Sequence, residues 1–131
     1  MAFYKKDFTF KIEDKNTFEK KLHHYFSFYG FKALENLENE FVYFKKASFF
    51  DGWKFNPLNW ESNVKITIEN NILKISYLNE GNSQITPFAF DDLFEEFFKN
   101  LELYLNNSIN FQEKNIEALK KAKLKISFHF V

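Results

Sequence analysis

The stretch Val64–Tyr77, VKITIENNILKISY, gives the firmest structural prediction in this 131-residue chain. Apolar and polar residues alternate on both sides of the central Asn70–Asn71 pair, which is the period of a strand with one buried face. Asparagine tolerates the positive φ that a two-residue hairpin turn requires. Such a turn places Ile66 opposite Ile75, so that the apolar side chains of both strands share one face. The sequence therefore predicts a β-hairpin in an antiparallel sheet.

Further strands are predicted on both sides of the hairpin. Phe8–Ile12 alternates, and Lys32–Glu35 and Phe41–Ser48 predict two more strands. Phe41–Ser48 begins with four apolar residues, which indicates an internal position in the sheet. The final stretch Lys123–Val131 alternates strictly and predicts a last strand. Continued helix is the alternative there, because its apolar residues also fit one helical face.

A first helix is predicted between the first two strands. Asn16 is its expected N-cap, since Glu19 follows three residues later. Apolar residues recur at helical spacing through Thr17–Tyr29, which gives an aromatic inner face. Gly30 lies where a C-terminal cap glycine belongs, and burial of Phe31 would complete the stop.

Two more helices are predicted after the hairpin. The first begins either at Thr86–Pro87 or at Asp92, and it ends near Asn106–Asn107. The second begins at Asn110, where Glu113 completes a capping box. The whole chain, residues 1–131, is thus expected to form one α+β domain. It would hold an antiparallel sheet of four to six strands with two or three helices on one face, in the order β-α-β-β-β-β-α-α-β.

Composition narrows the function classes. The 18 acidic residues balance 18 lysines and arginine is absent, which argues against a nucleic-acid partner. Without cysteine there are no disulfides and no thiolate metal site. The N-terminus lacks the apolar core of a signal peptide, and no run of about 18 apolar residues is present. A cytoplasmic protein is therefore expected.

Candidate residues for chemistry are few. His23 and His24 are adjacent, so on a helix they point about 100° apart and do not face one small site. The acids Asp91, Asp92, Glu95 and Glu96 fit the start of a helix, where negative charge is favoured. The sequence has neither a glycine-rich phosphate loop nor a nucleophile elbow. We therefore expect no enzymatic activity, no catalytic residue, no metal and no cofactor.

The connection Phe49–Asn63 is the candidate for recognition. It holds both tryptophans, and Trp and Phe are common anchors of protein interfaces. The residues expected to bind a partner are Phe50, Trp53, Phe55, Leu58 and Trp60. The alternative is that this segment folds over one end of the sheet and buries its rings as a lid of the core.

The leading functional hypothesis is a small non-enzymatic protein-interaction module of the adaptor, chaperone or inhibitor type. Its partner would be another protein or a second copy of the chain. One alternative is a carrier of a hydrophobic ligand in a Phe-lined cavity, which the 20 phenylalanines suggest. The other is a peripheral membrane protein that binds through its basic C-terminal tail, Leu124–Val131.

Overall fold

Five strands and three helices make up the part of the chain that the computed structural model describes. That part comprises residues 3–13, 15–47, 56–80, 90–107 and 109–129, the side chains of 35, 36 and 125–129 excepted. The elements in chain order are β1 (Tyr4–Lys11), α1 (Phe18–Phe28), β2 (Lys32–Leu37), β3 (Glu40–Lys45), a 3-10 turn (Pro57–Asn59), β4 (Ser62–Glu69), β5 (Ile72–Asn79), α2 (Asp91–Asn106) and α3 (Phe111–His129). The expected α+β class is confirmed.

The hairpin of β4 and β5 forms as predicted. Asn70 and Asn71 have φ angles of 52° and 65°, the left-handed values that a type I′ turn requires. Ile66 lies opposite Ile75 in the register. The inward-facing residues are at most 1% exposed at Val64, Ile66, Leu73 and Ile75. Turn, register and buried face are therefore all confirmed.

The sheet has the strand order β1-β5-β4-β3-β2, and every neighbouring pair is antiparallel. Strands β2 to β5 follow one another as a meander, and β1 lies beside β5. The internal position predicted for Phe41–Ser48 is confirmed, because β3 lies between β4 and β2. Within the described part of the chain, the two edge strands are β1 and β2.

Helix α1 ends in a Schellman motif. Gly30 has a φ of +83°, which glycine adopts without steric cost. The N–H of Phe31 donates to the carbonyl of Phe26 (2.9 Å), and that of Gly30 donates to Ser27 (3.1 Å). The rings of Phe31 and Phe26 also meet, 5.3 Å apart. The predicted stop is confirmed, whereas the predicted N-cap is wrong: Thr17 occupies that position, not Asn16.

The starts of α2 and α3 differ in their capping. Asn110 accepts a hydrogen bond from the N–H of Glu113 (3.2 Å), so the predicted cap of α3 is confirmed. Helix α2 begins at Asp91 with Phe90 in the N-cap position and no side-chain cap. Asp92 lies in the first turn and is not the cap. The alternative start, Thr86–Pro87, lies outside the described residues.

The strand predicted at Lys123–Val131 is wrong. Helix α3 runs to His129, and the last two residues lie outside the described part. By this point the helix has paid its nucleation cost, and each added residue needs only to complete one hydrogen bond. Lysine, alanine and leucine, which fill residues 120–125, are strong helix formers. The alternative of a continued helix, which the same apolar residues allow, is the one that holds.

Aromatic rings fill the space between the sheet and its helices. The ring of Phe26 in α1 stacks on Tyr43 of β3, with centroids 4.7 Å apart. From α2, Phe98 meets Tyr77 of β5 at 4.9 Å. Helix α3 packs along α2 and reaches α1 through Phe111, whose ring lies 4.7 Å from Tyr25. Burial of these rings, roughly 1.5–3 kcal/mol each, holds the helices on one face of the sheet.

A buried polar network fixes how α3 docks. The Nδ2 of Asn115 donates to the hydroxyls of Tyr25 (2.9 Å) and Tyr29 (2.8 Å). Its Oδ1 accepts from Asn100 (2.8 Å) in α2. Burial raises the pKa of Tyr25 well above its ordinary value, so its hydroxyl stays protonated and donates to the carbonyl of Phe97. One side chain of α3 thus joins both other helices.

Replacing Asn115 by alanine should lower the free energy of unfolding by about 2–3 kcal/mol, because Asn100 and the two tyrosine hydroxyls lose a buried partner. Urea denaturation measures the change. Gln112→Ala, an exposed change in the same helix, is the control and should stay within about 0.5 kcal/mol of wild type. Equal effects of the two changes would contradict this role of the network.

Candidate functional site

The predicted partner-binding residues divide into two groups. Phe50, Trp53 and Phe55 lie outside the described residues, so their role stays a prediction. Leu58 is buried in the 3-10 turn, with 5% exposure. Trp60 is half-buried, and its ring meets the edge of Phe90 at 5.6 Å. The two described members of the set therefore pack on the core at this end of the sheet.

Polar side chains tie that turn to the sheet. The Nδ2 of buried Asn79 donates to the carbonyl of Pro57 (3.1 Å) and to the hydroxyl of Tyr77 (2.9 Å). The ammonium of Lys45, a residue only 8% exposed, donates to the amide oxygen of Asn59 (2.8 Å). These bonds connect the ends of β3 and β5 to the turn.

The two histidines face different neighbours. The Nδ1 of His23 lies 2.6 Å from the hydroxyl of Tyr43, and its Nε2 lies 3.9 Å from Glu19. The ring of His24 instead meets Tyr104 and Phe111. The pair is thus divided between the sheet side and the α3 side of helix α1, as the 100° step predicts.

The acidic cluster at the start of α2 is joined to β1. Oxygen atoms of Asp91, Asp92 and Glu95 lie within 4.8 Å of one another. The ammonium of Lys6 contacts Glu95 and lies 3.1 Å from Asp91. The hydroxyl of Tyr4 donates to Asp91 (2.5 Å). A lysine and a phenol therefore already engage these carboxylates, and the cluster fastens β1 to α2.

The outer edge of β1 is the side of the strand that faces away from β5. The N–H of Ile12 donates to the carbonyl of Asn71 in line with the β1–β5 register. Hydrogen-bonded and non-bonded pairs alternate along an antiparallel ladder. The main-chain groups of Phe10, Phe8 and Lys6 therefore also point to β5. Those of the intervening residues point away from it, toward the free edge, at Lys5, Asp7, Thr9 and Lys11.

Asn106 supports this assignment from the other side. Its Nδ2 donates to the carbonyl of Lys11 (2.9 Å), and its Oδ1 accepts from the N–H of Glu13 (3.0 Å). The amide thus pairs with the outer edge of the chain as a peptide group of a neighbouring strand would. Asn106 occupies only the C-terminal end of this edge. Within the described part of the chain, no further strand pairs with the edge from Lys5 to Thr9.

A groove of about 290 Å³ runs between this edge and α2. Its floor is aromatic: half-exposed Phe8 stacks on Phe98 with centroids 4.5 Å apart, and Phe10 lies beside them. Thr9, whose side chain lies on the opposite face of the sheet, also lines the groove. The groove therefore lies beside both the outward main-chain groups and the aromatic rings of β1.

The other edge strand is built differently. The register of β2 against β3 shifts between Ala33 and Glu35, which leaves Leu34 as the extra residue of a β-bulge. Bulges interrupt the regular spacing that a pairing strand needs, and they commonly protect sheet edges. Strand β1 keeps its register over all eight residues. Of the two edges, β1 is the one suited to pairing.

The sequence pattern predicts the strand Phe8–Ile12 but not its position at an edge, so the groove is a site that the sequence did not indicate.

Comparison of the chain with family models, curated proteins and solved structures finds no match. Among the described residues, no helix is both long enough and apolar enough to cross a membrane.

The contacts of Asp91 predict that the stability of the fold falls at low pH. The hydrogen bond from Tyr4 lowers the pKa of Asp91 most, Lys6 acts in the same direction, and burial opposes both. A carboxyl with a depressed pKa stabilises the fold above its unfolded value of about 4, and this contribution is lost as pH falls through the folded value. We expect Asp91→Asn to lower the urea midpoint at pH 7 and to approach wild type as the pH is lowered toward 2.

The control for this pH series is Glu96→Gln, which removes an exposed carboxylate from the same helix. It should leave the urea midpoint near the wild-type value at both pH values. A gap between Asp91→Asn and wild type that persists unchanged at low pH would contradict the assignment to Asp91 ionisation.

Proposed function

We propose that this chain is a small, non-enzymatic protein-interaction module that binds an extended segment of a partner protein along the free edge of β1. The observation that carries the proposal is the row of outward main-chain groups at Lys5, Asp7 and Thr9 beside a groove floored by Phe8 and Phe98. Strand addition of this kind draws affinity from main-chain hydrogen bonds and specificity from pockets for alternate side chains.

The dimensions suit a short segment. From Lys5 to Lys11 the edge extends about 20 Å, at 3.4 Å for each residue step. Asn106 closes its C-terminal end, so an added strand would pair chiefly with the half that begins at Lys5. Helix α2 forms the far wall of the groove through Glu95 and Lys99. A partner segment would thus lie between an edge strand and a helix.

The aromatic connection stays part of the proposal. Leu58 and Trp60 anchor its C-terminal part to the core, and binding by Phe50, Trp53 and Phe55 remains a prediction. Charged side chains, Lys6 and Glu95, line the groove around its aromatic floor. This favours a polypeptide with a polar rim over the apolar cargo of a ligand carrier.

Thr9→Pro tests the proposal directly. Proline lacks the N–H group, and at Thr9 this group points to the free edge, so no bond to β5 is lost. Removing it leaves a partner carbonyl unpaired and should weaken capture by about 2 kcal/mol, or roughly thirtyfold. The measurement is affinity capture from a lysate of the native host, with wild type, Thr9→Pro and Thr9→Val compared side by side.

Thr9→Val is the matched control because it changes the same side chain and keeps the N–H. A protein captured by wild type and Thr9→Val but lost with Thr9→Pro supports the proposal. Identical capture by all three would refute it. Circular dichroism checks that each variant is folded, and Asp7→Pro, which also removes an outward N–H, provides the same test at a second position.

A further inference from the structure

The side chains around the edge of β1 define the chemistry of the segment that would bind there. We infer that this segment is an alternating one, acidic on the side that faces the open surface of the sheet and apolar on the side that faces the groove. The inference rests on the proposed function, since it concerns the same edge.

Strand geometry fixes the alternation. Successive side chains of an added strand point to opposite faces of the sheet. Those on the helix side would enter the groove between β1 and α2, beside Phe8 and Phe98. Those on the other side would lie next to the open-face residues of β1, which are Lys5, Asp7, Thr9 and Lys11.

The open face beside this edge is positively charged. Lys5 and Lys11 are exposed, and so is Lys74 of β5, which lies opposite Thr9. These three lysines make no ion pair within the described part of the chain. Asp7 is the one carboxylate among the open-face side chains of β1. Opposite charges in cross-strand pairs attract, so carboxylates are the favoured neighbours.

On the side that faces the groove, apolar side chains of the added strand are favoured. Of the two lysines that line the groove, Lys6 is already engaged by Asp91 and Glu95. Lys99 lies on the same wall as Glu102, so the charges there are balanced. The floor is formed by stacked rings of Phe8 and Phe98. A charged side chain would lose its hydration against these rings, whereas an apolar one is favoured.

A second copy of the chain is a poor occupant of this edge. The strand carries Lys5, Lys6 and Lys11 against the single acid Asp7, so two copies of β1 side by side would place like charges close together. Lysine on an edge strand is a common device that prevents edge-to-edge pairing of identical chains. The same lysines attract a segment of opposite charge.

Three capped octapeptides test the inference, each alternating valine with glutamate, glutamine or lysine. They are titrated into isotope-labelled wild-type protein, and amide shifts are followed by NMR. We expect the glutamate peptide to bind about fivefold tighter than the glutamine peptide and the lysine peptide to bind weakest. The shifted amides should lie in Lys5–Lys11 and along the groove wall at Glu95–Lys99.

A charge-reversed variant, Lys5→Glu with Lys11→Glu, should invert the order so that the lysine peptide binds tightest. These two exposed side chains lie outside the core, so the variant should stay folded. A wild-type protein that binds the glutamine or lysine peptide as tightly as the glutamate peptide would overturn the inference and leave strand addition intact. Binding of none of the three, or a β1-paired dimer that Thr9→Pro abolishes, would also overturn it.

The proposed function is judged separately by the Thr9→Pro capture experiment. Capture that depends on the Thr9 N–H, together with failure of the glutamate peptide, would mean that the edge binds a segment of different chemistry. Capture that is indifferent to Thr9→Pro removes the proposed function and the inference together.

Discussion

The hydrogen-bond phase of the sheet constrains its other features. The phase states which residues of each strand direct their main-chain groups to which neighbouring strand. The turn at Asn70–Asn71 fixes the register of β5 against β4, and the bond from Glu80 N–H to the Glu61 carbonyl continues that phase. The inward residues of β5 must then direct their main-chain groups to β1. The main-chain groups of the inward residues of β1 pair with those of β5, and the main-chain groups of its outward residues face the edge of the sheet.

Because of this phase, the face on which a side chain of β1 lies also determines the side to which its main-chain groups point. Residues whose side chains enter the core, such as Phe10, also hold the ladder to β5. Residues whose side chains lie on the open face, such as Thr9, present their main-chain groups to the free edge. The two sets do not overlap, so the open-face residues of β1 can be substituted with little cost to the core. The charge of Lys5 and Lys11 can therefore vary independently of the fold.

Local patterns in the sequence predicted the local structure well. The hairpin at Val64–Tyr77, the stop at Gly30 and the cap at Asn110 each depend on residues within a few positions of one another. The final segment was wrongly predicted because Lys123–Val131 suits either a strand or a helix by its own pattern. Helix α3, which begins at Phe111 and docks through Asn115, continues into this segment because its nucleation has already taken place.

The candidate site could not be predicted because it depends on contacts between distant residues. The sequence predicts the strand Phe8–Ile12, but its place at the sheet edge follows from pairing with β5, about 65 residues away in the register. The groove also needs Phe98 and Glu95 from α2. Asn106 has no local signal that would mark it as a partner of Lys11. The aromatic connection, in contrast, was singled out from its own residues, and its role in binding stays a prediction.

Amide hydrogen exchange along β1, resolved residue by residue, shows which main-chain groups of β1 pair with β5 and which face the edge. Main-chain N–H groups bonded in a ladder exchange slowly, and those facing solvent exchange fast. We expect slow exchange at Lys6, Phe8, Phe10 and Ile12 and fast exchange at Lys5, Asp7, Thr9 and Lys11. Equal protection at both sets, or the reverse alternation, would show that the edge is covered or that the phase is wrong.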